Sequence, residues 1–197
     1  MVAFVDTPAT KKELTHARIV DAAARAIRRR GFEGVGVAEV MKEAGLTHGG
    51  FYAHFESREA MLAEALARAG STGAASLAKS VEGRQAQGST TLRAVVESYL
   101  SEAHLAGAER GCPVAALASE MPRQSTELRE ASVRRVQSLV ERVRRALPDP
   151  RDKDRAMVIA STMVGALQLA RVLGANAKGK ALLAAAREAL LATRGVG

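Results

Sequence analysis

Residues 37–55 read VAEVMKEAGLTHGGFYAHF, and this stretch decides the fold. Val37, Val40, Met41 and Ala44 recur at helical spacing, Gly45 supplies the positive φ of a tight turn, and a second helical segment opens at about Thr47. Phe51 and Phe55 stand four apart and face one way, which leaves His48, Gly49, Tyr52 and His54 mostly outward. Two short helices about one turn glycine, the second beginning with small and polar residues, form the helix-turn-helix layout. Its second helix enters the DNA major groove by its N-terminal end. Four of the six aromatic residues lie between Phe32 and Phe55, concentrating ring volume where a small helical unit needs it. The plainer reading of the same pattern is an αα-hairpin with surface histidines, a helical interaction module that does not bind DNA.

Upstream, Ile19, Ala23 and Ile27, with Val20 and Ala24 alongside, predict a helix over about 11–30 that Gly31 stops. Downstream, Ser57 is the predicted N-cap of a longer helix opened by Met61, Leu62, Ala65, Leu66 and Ala69, with Gly70 to Gly73 weakening its middle. Residues 83–89 read as a loop. Leu92, Val95, Val96, Tyr99 and Leu100 predict a helix to about Leu105, and Pro113 starts a short one to about Glu120. Val133, Val136, Val140, Val143 and Leu147 form the clearest amphipathic stripe, with Arg134, Arg142 and Arg145 off it. After Pro148 and Pro150, two apolar helices are expected at about 152–173 and 180–193. No strand pattern and no repeat appears, so the expected class is all-α.

Residues 14–68 resemble the DNA-binding domain of the tetracycline-repressor (TetR) family of bacterial transcription regulators. The resemblance rests on Arg18-Ile19-Val20-Asp21-Ala22-Ala23, Gly31-Phe32, Ala44-Gly45-Leu46-Thr47, Gly49-Gly50-Phe51-Tyr52-Ala53-His54-Phe55 and Ser57-Arg58-Glu59-Ala60-Met61-Leu62. It implies a DNA-binding domain at 11–56 and a helical effector-binding and dimerisation domain at 57–197. By position, Thr47 would cap the recognition helix and touch a phosphate, and His48, Gly49 and Gly50 would face base edges. Tyr52, His54 and Arg58 would hold phosphates, with Lys42 a further contact. The chain departs from the family pattern at Gly36 and Gly50, where Ser or Thr is usual. Both changes remove side-chain donors and shift readout toward His48 and DNA shape.

The implied function is a ligand-responsive transcriptional regulator, a repressor that binds a near-palindromic operator as a homodimer and leaves it when a small-molecule effector binds. Candidate effector contacts are Tyr99, Ala103, Cys112, Leu117, Met121 and Met163. The dimer is expected to use Val164, Gly165 and Leu167 with Leu182, Ala186 and Leu190, which are too apolar to stay exposed. Beyond residue 55 Tyr99 is the only aromatic, which argues against a stacking cage for flat cationic drugs and favours an aliphatic, acyl or small reactive effector. The stretch from Gly111 to Glu120 resembles one found in some members of the family, a few of which sense reactive compounds through cysteine. Cys112 is therefore either a redox or electrophile sensor or a small packed hydrophobe.

Composition agrees with these readings. The chain has 197 residues, 47% hydrophobic and 3% aromatic, enough for a core of aliphatic side chains in packed helices. One cysteine allows no intrachain disulfide and fits a cytoplasmic setting. The net charge of +8 is uneven: residues 1–70 hold 10 Lys and Arg against 9 Asp and Glu, and the remainder holds 19 against 12. Bulk charge on the N-terminal third is not what would recognise DNA. The start of the chain lacks the charged region and cleavage site of a secretory signal. The charge-free run from Ala156 to Ala170 is 15 residues, below the ~20 of a membrane span, so a buried helix and no membrane partner are expected. Gly174 to Lys180, GANAKGK, begins like a phosphate-binding loop, but Ala181 replaces its hydroxyl residue and an inter-helix turn is expected. Glu13 and His16 lack the second Glu-x-x-His of a di-iron bundle, no zinc spacing occurs, and no Gly-x-Ser-x-Gly is present. No metal, no cofactor and no enzymatic activity is expected.

Overall fold

The computed structural model describes residues 10–192, which form nine α-helices, short 3-10 turns and no strand. α1 spans Lys11–Arg30 and opens with a reciprocal cap: Thr10 Oγ1 accepts from Glu13 N–H (3.2 Å) while Glu13 Oε2 accepts from Thr10 N–H (2.7 Å). α2 (Val37–Glu43) leads through Gly45, at φ +71°, into a 3-10 helix at His48–Ala53. The Arg18 guanidinium clamps that turn by donating to Ala44 O. Ile19, Ala23, Ile27, Phe32, Val40, Met41, Phe51 and Phe55 fill the core of this unit, so a side chain from each of its helices closes it.

α3 (Arg58–Gln85) starts at Ser57, whose hydroxyl accepts from Ala60 N–H (3.0 Å), and runs 28 residues without a break. Gly70 and Gly73 do not weaken it as expected. They let neighbours approach: a Cβ at Gly70 would lie 2.6 Å from Arg135 Nη1, and one at Gly73 would lie 2.9 Å from Gly111 O. The predicted loop correspondingly shrinks, since the helix reaches Gln85.

The helix expected to Leu105 is two helices, α4 (Thr91–Tyr99) and α5 (Glu102–Ala106). Leu100 turns out of helical geometry at ψ 33°, and Ser101 caps α5 by accepting from His104 N–H (3.2 Å). α6 (Pro113–Leu117) is shorter than predicted, with Cys112 at its N-cap.

On α7 (Thr126–Ala146) the predicted stripe is wrong at its start, because Val133 and Val136 are exposed. The inward row is Leu128, Ala131, Ser132, Leu139, Val143 and Ala146. Ser132 satisfies its hydroxyl on Leu128 O (2.8 Å), so a polar residue interrupts the row in sequence at little cost in space.

α8 (Lys153–Leu173) and α9 (Ala177–Ala192) pack as a pair beside α7 and α4. The turn between them is only residues 174–176, shorter than the expected Gly174–Lys180 turn because α9 already begins at Ala177; Asn176 holds it, its Oδ1 accepting from Lys178 N–H (2.9 Å). Residue 193, the predicted end of the last helix, lies outside the described residues. By length and composition alone α8 could cross a membrane, contrary to the sequence expectation; Ala156, Ile159, Ala160, Met163, Ala166, Leu167 and Ala170 bury one face of it in the bundle.

Candidate nucleic-acid interface and cavity

The 3-10 helix His48–Ala53 presents its outer side to solvent because Phe51 is buried beneath it. Thr47 occupies the N-cap position with extended backbone but makes no side-chain cap bond, so its hydroxyl is free for an outside partner. His48, Gly49 and Lys42 are exposed, Gly50 is half-buried over Met41, and Tyr52 is 74% exposed. Lys42 makes no ion pair among the described residues, whereas nearby Arg29 and Arg30 are taken by Glu43 and Glu39. These ion pairs tie α2 to α1.

Two of the expected phosphate contacts sit differently. The Arg58 guanidinium turns inward and donates to Phe32 O and to Val35 O (3.1 Å), so it pins the α1–α2 connection rather than facing outward. His54 is half-buried. Its Nδ1 has no hydrogen-bond partner, and its pKa is pushed down by burial and by His16, whose ring lies 5.9 Å away. His16 stacks on Phe55 (4.6 Å) and meets Glu64 Oε2 at 2.7 Å. The outward set is therefore Lys42, Thr47, His48, Gly49 and Tyr52.

A cavity of about 490 Å³ opens between α3, the α4–α5 junction, the 107–114 segment and α7. Of the residues expected to contact an effector, Tyr99, Ala103 and Cys112 lie on its wall, and Leu117, Met121 and Met163 are buried in the surrounding core instead. Sequence reasoning missed His104, Arg110, Arg135 and Arg142, all on the wall. Arg142 lies off the stripe that Val133 and Val136 suggest in sequence, and that phase turns it away from the bundle.

Tyr99 is 1% exposed and its hydroxyl has no hydrogen-bond partner. Burial, and the Cys112 thiol nearby, raise its pKa well above the usual phenol value. His104 bridges the wall: Nδ1–H donates to Tyr99 O (2.7 Å) and Nε2 accepts from Cys112 N–H (2.9 Å). Its tautomer is fixed by those partners, since a carbonyl only accepts and an amide N–H only donates. Burial pushes its pKa down to about 4, so the ring is neutral at pH 7.

The cavity is joined to the helix-turn-helix unit through Arg28 near the end of α1. Its guanidinium, 7% exposed as a residue, donates to Ala24 O (3.0 Å), Ala69 O (3.2 Å), Thr72 Oγ1 (3.3 Å) and Gly111 O (3.2 Å). Gly111 precedes Cys112 on the cavity wall. A second link runs from Phe32 N–H to Glu120 Oε2 (2.8 Å).

The C-terminal helices leave an apolar face uncovered: Met157, Val158, Leu169 and Leu173 are exposed and Val172 is 86% exposed. Val164, Gly165, Leu182 and Ala186 are half-buried, while Leu167 and Leu190 are buried in the protomer's own core because they face α8–α9 packing. No group of His, Cys, Asp and Glu suited to a metal occurs among the described residues.

Residues 19–65 match the family model described as bacterial regulatory proteins, tetR family, and residues 89–188 match that of the LmrA/YxaF-like transcriptional regulator C-terminal domain. No curated protein matches the chain. Among solved structures, reduced NemR of E. coli is similar at TM-score 0.71 and 22% identity, over 89% of this chain and 94% of that one. A TetR regulator from Chloroflexus aurantiacus has TM-score 0.71 and 22% identity, covering 94% and 98%. One from Legionella pneumophila has TM-score 0.72 and 16% identity, covering 95% and 98%. With both its N-terminal and C-terminal parts matched, the chain belongs to the TetR family of transcription regulators.

Proposed function

We propose that this regulator is a homodimeric repressor that binds a near-palindromic operator and is released by a small molecule entering the cavity. The observation that carries the reading is Arg28, which bonds the cavity wall at Gly111 to the helix that supports the DNA-binding turn. A ligand that moves the 107–112 segment has a direct path to α1, and an effector acts by preferring one of two such arrangements. The exposed set around Thr47, His48 and Tyr52 supports groove contact, and two such helices would occupy successive major grooves, about 34 Å apart. The exposed α8 face supports pairing of two copies into a four-helix bundle with α9.

The test is fluorescence anisotropy on the DNA flanking the protein's own gene, with light scattering at the same concentration. Saturable binding by a dimer, lost in the Tyr52→Ala and His48→Ala variants, supports the reading. A monomer at micromolar concentration, or binding indifferent to both substitutions, refutes it.

A further inference from the structure

We propose that the cavity selects an organic anion, a carboxylate or phosphate carried on a compact and partly apolar body. This rests on the reading of the cavity as the effector site. Its wall contains no Asp or Glu, but includes Arg110, Arg135 and Arg142, whose guanidiniums make no ion pair or hydrogen bond among the described residues.

Arg135 and Arg142 are half-buried in the wall, and Arg110 is exposed. Arg135 lies across α3 because Gly70 lacks a side chain there. Arg142 follows two helical turns along the same side of α7, roughly 10 Å away. Behind the wall, Arg171 donates to His104 O (2.9 Å), yet its Nε and Nη1 are buried without partners. A cationic guest would add like charge to this set, whereas an anion would compensate it.

Tyr99 supplies an independent pointer. Its buried hydroxyl has no oxygen or nitrogen partner and only the weakly accepting Cys112 thiol beside it, so a stronger acceptor in the cavity would engage it. His104 offers no competing carboxylate and no free donor, since both ring nitrogens are engaged. Leu77, Val114 and Leu139 supply apolar wall among six serines, and the volume exceeds what an inorganic anion would fill. The aliphatic or acyl effector expected from sequence therefore acquires a required head group.

The test uses one body with three heads: 4-phenylbutyrate, 4-phenylbutanol and 4-phenylbutylamine, titrated calorimetrically into the full-length protein. Phenyl phosphate and inorganic phosphate run in parallel. The expected result is that the acid binds at least about tenfold more tightly than the alcohol and that the amine does not bind. Raising the salt should weaken the acid alone, a readout that needs no variant.

Arg135→Gln with Arg142→Gln should abolish the preference with little change in the thermal midpoint, because neither side chain has an ion-pair or hydrogen-bond partner to lose and glutamine keeps part of the Arg135 stem over Gly70. Tyr99→Phe should weaken the acid severalfold. Equal affinities for acid and alcohol, an acid preference insensitive to salt and to the arginine substitutions, or inorganic phosphate binding as tightly as phenyl phosphate would each overturn the proposal. Acid binding that leaves operator affinity unchanged would uphold the anion site and refute its role as the effector site.

Discussion

His104 makes the stability of the C-terminal helical domain depend on pH in a way that can be worked out from its two hydrogen bonds. Nε2 accepts from Cys112 N–H, so protonating the ring breaks that bond, and burial already disfavours the cation. The pKa is about 4 in the fold against 6.5 for a free histidine. Between those values the unfolded chain takes up a proton that the folded one refuses, so stability falls as pH falls through this window and no further below it. From pH 7 to 4.5 the loss due to this one ring is roughly 2 kcal/mol. The assay is urea unfolding at both pH values for the wild type and for His104→Gln, with all other groups common to the two proteins. The variant should begin less stable at pH 7 and lose about 2 kcal/mol less on acidification. Equal losses in both proteins would refute the assigned tautomer and the buried environment with it.

Three further outcomes are expected. Arg28→Met removes a buried charge whose pKa burial has lowered to about 10, and orphans Gly111 O; these effects oppose each other, so urea stability should change by under about 2 kcal/mol while effector-induced loss of operator affinity collapses. Gly36→Ser should stabilise the protein by about 0.5–1 kcal/mol in thermal unfolding, since Gly36 sits at the N-cap of α2 at φ −89° with open space around it and no side-chain cap. Cys112→Ser should leave the response to the acid probe intact; a response that requires the thiol would instead make Cys112 the sensor.

The elements that sequence located well are those whose pattern is local. The α1 stripe, the turn at Gly45 and the inward Phe51 and Phe55 follow from spacing alone, and the structure buries Ile19, Ile27, Phe51 and Phe55. What spacing did not reveal depends on long-range contacts. Arg58 has the position of a phosphate contact, but the carbonyls of Phe32 and Val35 claim it. Gly70 and Gly73 look like helix breakers until Arg135 and Gly111 are seen lying against them. The inward row of α7 is interrupted by Ser132 and Arg135, so Val133 and Val136, on the solvent side, gave the stronger apolar signal. A carboxylate-free wall with three arginines, drawn from segments around 110, 135 and 142, has no linear signature.

The unbroken α3 leaves no linker at which the two halves of the chain could be exchanged. Its first turns pack under the recognition unit and its later turns form the cavity wall, so both halves take their orientation from one helical phase. Inserting a single residue between Leu66 and Gly70 would rotate one half against the other by about 100° and pull Arg28 away from Gly111, while inserting about seven residues, close to two turns, would nearly restore the phase. Chimeras that join this C-terminal domain to another helix-turn-helix unit must therefore be built in helical register, and, on the proposed function, their response should rise and fall with insert length at a period near 3.6 residues.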